Sequence, residues 1–199
     1  MTVEKAQDLL TERDPDEVVT PACIDHWLIK TTQKDAMRDF YVTVLGVSVT
    51  YSDDTITLLS FDDRYHRIAL YAHPQLQPRP YTDQVMRTAG IDHIAYEYPH
   101  LDDLLQNYVR VKRAGIEPYW TVNHGPVTSF FYRDPEGIAL ELLVDNFNHD
   151  VEVTKRFLAG PFGDDPMGTN FDPEKLLAER KAGASPEELA RRTYAGELA

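Results

Sequence analysis

The chain has 199 residues, 42% hydrophobic and 27% charged, with 33 Asp and Glu against 20 Lys and Arg for a net charge of −13. That length suits one compact domain or two small fused modules, and the composition is that of a soluble globular protein able to build a sizeable core. So acidic a balance disfavours nucleic acid and anionic membranes as partners, because both require a basic face.

Residues 1–20 read as an N-terminal arm. Their start, MTVEKAQDLLTERDPDE, is acidic and lacks the apolar core of a signal peptide. No apolar run approaches the roughly 18 residues of a membrane span. The single cysteine, Cys23, rules out an intramolecular disulfide and fits a reducing cytoplasm, the expected location. At a strand start it is expected to be a small buried hydrophobe.

Residues 21–75 form a first module. A strand is predicted over 22–30, with Ile24, His26 and Leu28 on one face and Trp27 and Ile29 on the other. In TTQKDAMRDFYVTVLG, Met37, Phe40, Tyr41, Val44 and Leu45 recur at helical spacing, and Gly46 sits where a helix would end. VSVTYS, TITLLSF and HRIALYAH follow as strands. Residues 76–89 are a linker, within a proline-bearing stretch PQLQPRPYTDQVMRTA.

Residues 90–147 repeat the order β-α-β-β-β. IDHIAYEY is the strand. Leu101, Leu104, Leu105, Tyr108 and Val111 make the helix stripe, with Gly115 as its stop. EPYWTV, VTSFFYRD and GIALELLVD are the last strands, and Asp134-Pro135-Glu136-Gly137 is the turn between the final two. Ile-Asp-His occurs at 24–26 and 91–93, and Ile-Ala-Leu at 68–70 and 138–140, in order and at equivalent places. Residues 148–199 are a helical extension, with starts at Asp172-Pro173-Glu174 and Ser185-Pro186-Glu187.

The repeat makes His26 and His93 equivalent, so a pseudo-twofold would let both converge between the modules. Their Asp neighbours are expected on the opposite face. Glu141 sits among Leu140, Leu142 and Leu143, where an ionised carboxylate is costly unless paired or metal-bound. Two histidines and a carboxylate form the facial set of non-haem Fe(II) sites, and Mn(II) and zinc accept the same donors. Taken singly, a strand histidine is more often a core or surface residue than a ligand, and a strand Glu can simply face solvent.

Paired βαβββ modules, a His on each first strand and a Glu on the last strand resemble the vicinal oxygen chelate superfamily. That superfamily includes glyoxalase I, bleomycin- and fosfomycin-resistance proteins, methylmalonyl-CoA epimerase and extradiol dioxygenases. The resemblance covers about 22–147 and is carried by GIDHIAYEY, NHGPVTSFFYRDPEG and IALELLVDNF. It is most similar to a single-domain type I extradiol catechol dioxygenase. It implies an α+β fold in which two tandem βαβββ modules form an open, cupped mixed β-sheet or barrel around a metal.

By this resemblance His26, His93 and Glu141 hold Fe(II), with Mn(II) as the alternative. His66 resembles an acid/base histidine, and His124 one that lies near a substrate hydroxyl. Aligning the two Ile-Ala-Leu triplets sets Tyr71 opposite Glu141, where glyoxalase-type members usually place a fourth ligand. Extradiol enzymes usually carry Tyr ten residues before the metal Glu; here Phe131 stands there, and Tyr132, the substitute candidate, is adjacent on the other strand face. Trp27, Tyr96, Trp120, Phe130 and Phe131 are expected to wall the pocket.

The expected function is ring cleavage of a small aromatic diol by O2, in a homo-oligomer. The alternatives are another metal-dependent member of the superfamily (an isomerase, lyase or differently acting oxygenase) and a metal-free binder of the resistance type.

Overall fold

The computed structural model describes residues 14, 16, 18–78, 89–160 and 167–199. Most of the expected arm over 1–20 and linker over 76–89 lies outside the described residues. The first module comprises β1 (Trp27–Lys30), α1 (Lys34–Leu45), β2 (Ser48–Ser52), β3 (Ile56–Ser60) and β4 (Ile68–Tyr71). The second repeats it with β5 (His93–Glu97), α2 (Leu101–Arg113), β6 (Trp120–Asn123), β7 (Val127–Arg133) and β8 (Ala139–Asp145).

Each module folds its strands into one mixed sheet. The orders are β1-β4-β3-β2 and β5-β8-β7-β6-β9, where β9 is Thr169–Asn170, and in both the first strand runs parallel to β4 or β8. The two sheets are open. The β1 strand begins at Trp27 rather than at residue 22, so His26 stands just before it. Cys23 lies in that irregular lead-in, with no strand partner to cover it, and is exposed rather than buried.

The helices follow their apolar spacing. Met37, Phe40, Tyr41 and Val44 are the buried face of α1, which ends as Gly46 turns to φ 70° and donates its N–H to Val42 O. In α2 the buried stripe is Leu101, Leu104, Leu105, Tyr108 and Val111, joined by Asn107. Asn107 Nδ2 donates to Val44 O (3.0 Å), a carbonyl in the last turn of α1 that the helix itself leaves unpaired. One apolar cluster spans both modules: Ile29, Leu59, Ile68 and Leu70 from the first share it with Tyr96, Phe130, Leu140 and Leu142 from the second.

The Asp134–Gly137 turn does more than reverse the chain. Glu136 Oε1 accepts from Thr31 Oγ1 (2.6 Å) and Thr32 N (2.9 Å), and Asp134 Oδ2 accepts from Tyr41 Oη (3.1 Å). The turn thus grips the start and middle of the first module's helical segment. Burial pushes the Asp134 carboxyl up to about 6, against the opposing donors Ile138 N–H and Tyr41 Oη. Burial pushes Glu136 up as well, but its hydroxyl and amide donors outweigh this and hold it below its ordinary value.

The extension contains α3 (Val151–Leu158), β9, α4 (Pro173–Lys181) and α5 (Pro186–Tyr194). Asp172 and Ser185 cap α4 and α5 by accepting from Glu174 N and Glu188 N, with Pro at each first turn. No apolar period marks β9 or α3: a two-residue strand has no period to read, and α3, capped by Asp150 accepting from Glu152 N and Val153 N, buries no residue. The extension packs on the second module. Asn123 Nδ2 donates to Ala190 O and Thr193 Oγ1, Arg180 forks onto Asp102, and Phe171, Leu176 and Leu189 enter the core. No helix among the described residues is long and apolar enough to cross a membrane.

Replacing Glu136 by Ala strips the acceptor from Thr31 and Thr32 and is expected to cost about 1–3 kcal/mol at neutral pH. Because the folded carboxyl titrates below its ordinary 4.5, this contribution is present above that pH and fades as pH falls through the lower folded value. Urea denaturation of both proteins from pH 7 to pH 3 checks it; an unchanged gap between them contradicts the clamp.

Candidate active site

The parallel pairing of β5 with β8 sets His93 opposite Ala139 and Ala95 opposite Glu141. His93 and Glu141 are therefore diagonal neighbours on one face, and His93 Nε2 lies 3.0 Å from Glu141 Oε2. Glu141 retains 6% of its exposure. Its other oxygen, Oε1, accepts from Ser129 Oγ on β7 at 2.6 Å. A carboxylate so buried needs a compensating cation or donors on every side, and the position between Oε2 and an imidazole nitrogen suits a cation.

The first module contributes a second pair. His26 and His66 rings lie 4.4 Å apart, tilted by 47°. His66 immediately precedes the lead into β4, so the parallel β1–β4 pairing brings these two segments together. In both modules the aspartate of the repeated tripeptide contacts its histidine, contrary to the expectation from strand alternation. His26 Nδ1 is 2.9 Å from Asp25 Oδ2, and His93 Nδ1 is 2.8 Å from Asp92 Oδ2. Both Asp residues precede the strand, where the pleat does not yet force neighbours apart. An imidazole that donates Nδ1–H to a carboxylate turns Nε2 toward a cation, the usual arrangement behind a metal-binding histidine; in His93 that Nε2 already faces Glu141 Oε2.

Among the described residues no group of three or more His, Cys, Asp or Glu side chains is gathered as one metal-holding set. The structure joins His93 to Glu141 and His26 to His66, one pair per module. The donor chemistry nevertheless fits a divalent cation: two imidazole Nε2 atoms and one buried carboxylate oxygen, a set that Fe(II) and Mn(II) accept.

Phe131 lies directly opposite Glu141 and meets the His93 ring edge-on, with centroids 5.3 Å apart. Trp120 stacks on Phe131 at 4.7 Å, and His124 stands edge-on to both, at 5.6 and 6.2 Å. Trp120 is fixed in turn by Nε1 donating to Asn170 Oδ1 on β9. An aromatic wall thus runs away from the His93–Glu141 pair.

Other expected pocket residues lie elsewhere. Trp27 and Tyr96 alternate with the two histidines, face the helices and pack edge-to-face at 5.4 Å in the shared core. Phe130 packs against Tyr108 and Phe171 on that same side. Tyr132 pairs with Leu140, not Glu141, and its hydroxyl is buried with no hydrogen-bond partner among the described residues. Burial pushes that phenol far up, and the strand pleat keeps it from replacing a tyrosine at position 131.

The counterpart of Glu141 also needs correcting. In the first module Leu28, two residues after His26, pairs with Ala69, whereas Tyr71 pairs with Lys30. Counted by strand pairing, Ala69 holds the place that the triplet alignment gave to Tyr71, because the two parallel registers differ by two residues. Neither residue brings a carboxylate. Sequence reasoning also missed Ser129; the available signal was its place two residues before Phe131, on the same face of the same strand.

A family model described as the Glyoxalase/Bleomycin resistance protein/Dioxygenase superfamily matches residues 23–142. Biphenyl-2,3-diol 1,2-dioxygenase 3 of Rhodococcus globerulus is 36% identical over 177 residues, which is 89% of this chain and 91% of that protein. Biphenyl-2,3-diol 1,2-dioxygenase 2 of the same organism is 37% identical over 172 residues, 85% and 87% of the two chains. A solved glyoxylase/bleomycin resistance protein/dioxygenase domain from Frankia sp. EAN1pec superposes with a TM-score of 0.53 at 18% identity, covering 67% of this chain and 99% of that one. That likeness speaks for the fold, whereas the sequence matches carry the family: the chain belongs to the glyoxalase/bleomycin resistance protein/dioxygenase superfamily.

Proposed function

We propose that the chain is an extradiol-type ring-cleaving dioxygenase acting on a catechol-like aromatic diol, with an Fe(II) ion held by His26, His93 and Glu141. The observation that carries this reading is the buried Glu141 carboxylate facing His93 Nε2, in a chain related over most of its length to proteins named for diol dioxygenation. When bound, such a metal supplies Lewis acidity that acidifies a chelating diol and brings it beside dioxygen.

The protein's own groups divide the remaining work. His66, whose ring lies against His26, would take a proton from the diol and return it to the product. His124, edge-on to Trp120 and Phe131, would orient a substrate oxygen. Phe131 has no hydrogen to donate, so it offers an apolar edge to the aromatic ring and leaves proton handling to the histidines.

A second reading keeps the site and changes the reaction to another metal-dependent one of the superfamily; Phe131 beside Glu141 favours it. The single cysteine fits the cytoplasm as the compartment. A homo-oligomer completes the proposal.

Protein loaded anaerobically with Fe(II) is expected to consume O2 when given aromatic vicinal diols, and both atoms of isotopic O2 are expected in a ring-opened product. Metal binding without oxygen uptake on any diol of a panel sinks the dioxygenase reading. His66→Ala is expected to lower kcat by about 10²–10⁴-fold while keeping its metal content, read by elemental analysis. Glu141→Ala is expected to lose the metal; equal iron in that variant and in the parent contradicts the ligand assignment.

A further inference from the structure

We propose that Ser129 is a positioning residue that sets which oxygen Glu141 offers to the metal. The inference rests on the reading of Glu141 as a ligand. Each of the three proposed ligands has one side chain that would orient it through a hydrogen bond: Asp25 on His26, Asp92 on His93, and Ser129 on Glu141. Burial separates them. The Asp25 and Asp92 side chains keep 59% and 73% of their exposure, so water competes for both contacts and each holds its ring weakly. Ser129 is fully buried and Glu141 nearly so, and their 2.6 Å contact is a hydroxyl donating to a carboxylate away from water. That is the strong class of hydrogen bond.

The geometry gives this bond a specific consequence. Ser129 engages Oε1, and Oε2 is the oxygen that faces His93 Nε2. Both residues sit inside paired strands, Ser129 opposite Leu143 and Glu141 opposite Phe131, so neither backbone can shift to let the carboxylate turn. On one side Phe131 lies opposite Glu141 with its ring edge-on to His93 and supplies no competing donor. Without the hydroxyl, Oε1 would be left buried and unpaired, and the carboxylate would be free to rotate away from the orientation that serves the metal.

The test is anaerobic titration with Mn(II), read by the loss of the free-ion EPR signal, on the full chain without substrate. Ser129→Ala is expected to bind Mn(II) about 10–100-fold more weakly than the parent, the usual cost of losing such a partner. Thr and Val have the same shape, so packing strain at a buried strand position is common to both and only the hydroxyl differs. Ser129→Thr is therefore expected to bind more tightly than Ser129→Val by a similar factor, a comparison that decides the matter even if the Ala variant does not fold. Equal affinities for Thr and Val, or for Ala and the parent, overturn the role of Ser129 while leaving Glu141 as a ligand. A parent protein that binds no Mn(II) overturns the ligand reading itself, and this inference with it.

Discussion

Everything at the site depends on one pairing: the first strand of each module lies parallel to its last. Parallel neighbours require a long crossover, and here each crossover is a helix followed by a two-stranded excursion. The helix covers one face of the sheet and supplies the core. The other face is left for residues that alternate with the core, and the register decides which of them meet. In the second module it makes His93 and Glu141 diagonal neighbours, with Phe131 across from the carboxylate and Ser129 beneath it. A one-residue slip of β5 against β8 would turn His93 to the helix side of the sheet, away from Glu141.

The second constraint lies between the modules. Sheets that share no ladder need other means to keep the two modules in register, and the Asp134–Gly137 turn provides them through Thr31, Thr32 and Tyr41. Asn107 reaching Val44 O adds a similar tie between the two helices. These contacts anchor the segment that follows β1, and so bear on where His26 stands. The rise of Asp134 to about 6 marks how dry this junction is.

Much of the architecture was legible because helical and strand periods are written in apolar residues. Both helix stripes, both glycine stops and the capped starts of α4 and α5 follow from spacing and cap chemistry. The face of Phe131 was also readable, since an antiparallel pair joined by a short turn fixes its own register. What could not be read depends on register between distant strands and on strand ends. Repeated triplets aligned Tyr71 with Glu141, but strand pairing selects Ala69. Alternation assigned Asp25 and Asp92 to the far face, yet both precede the pleat and reach their histidines. Aromatic character alone suggests Trp27 and Tyr96 as pocket walls; their alternation with the histidines puts them in the core.

The central claim is that one metal ion is held across both modules by His26, His93 and Glu141. Its most direct test is an anomalous difference map, recorded at the iron edge, from crystals grown anaerobically with Fe(II). The account predicts a single peak within coordination distance of His93 Nε2, Glu141 Oε2 and His26 Nε2. A peak bound by His93 and Glu141 without His26, or no peak at this face, would contradict it.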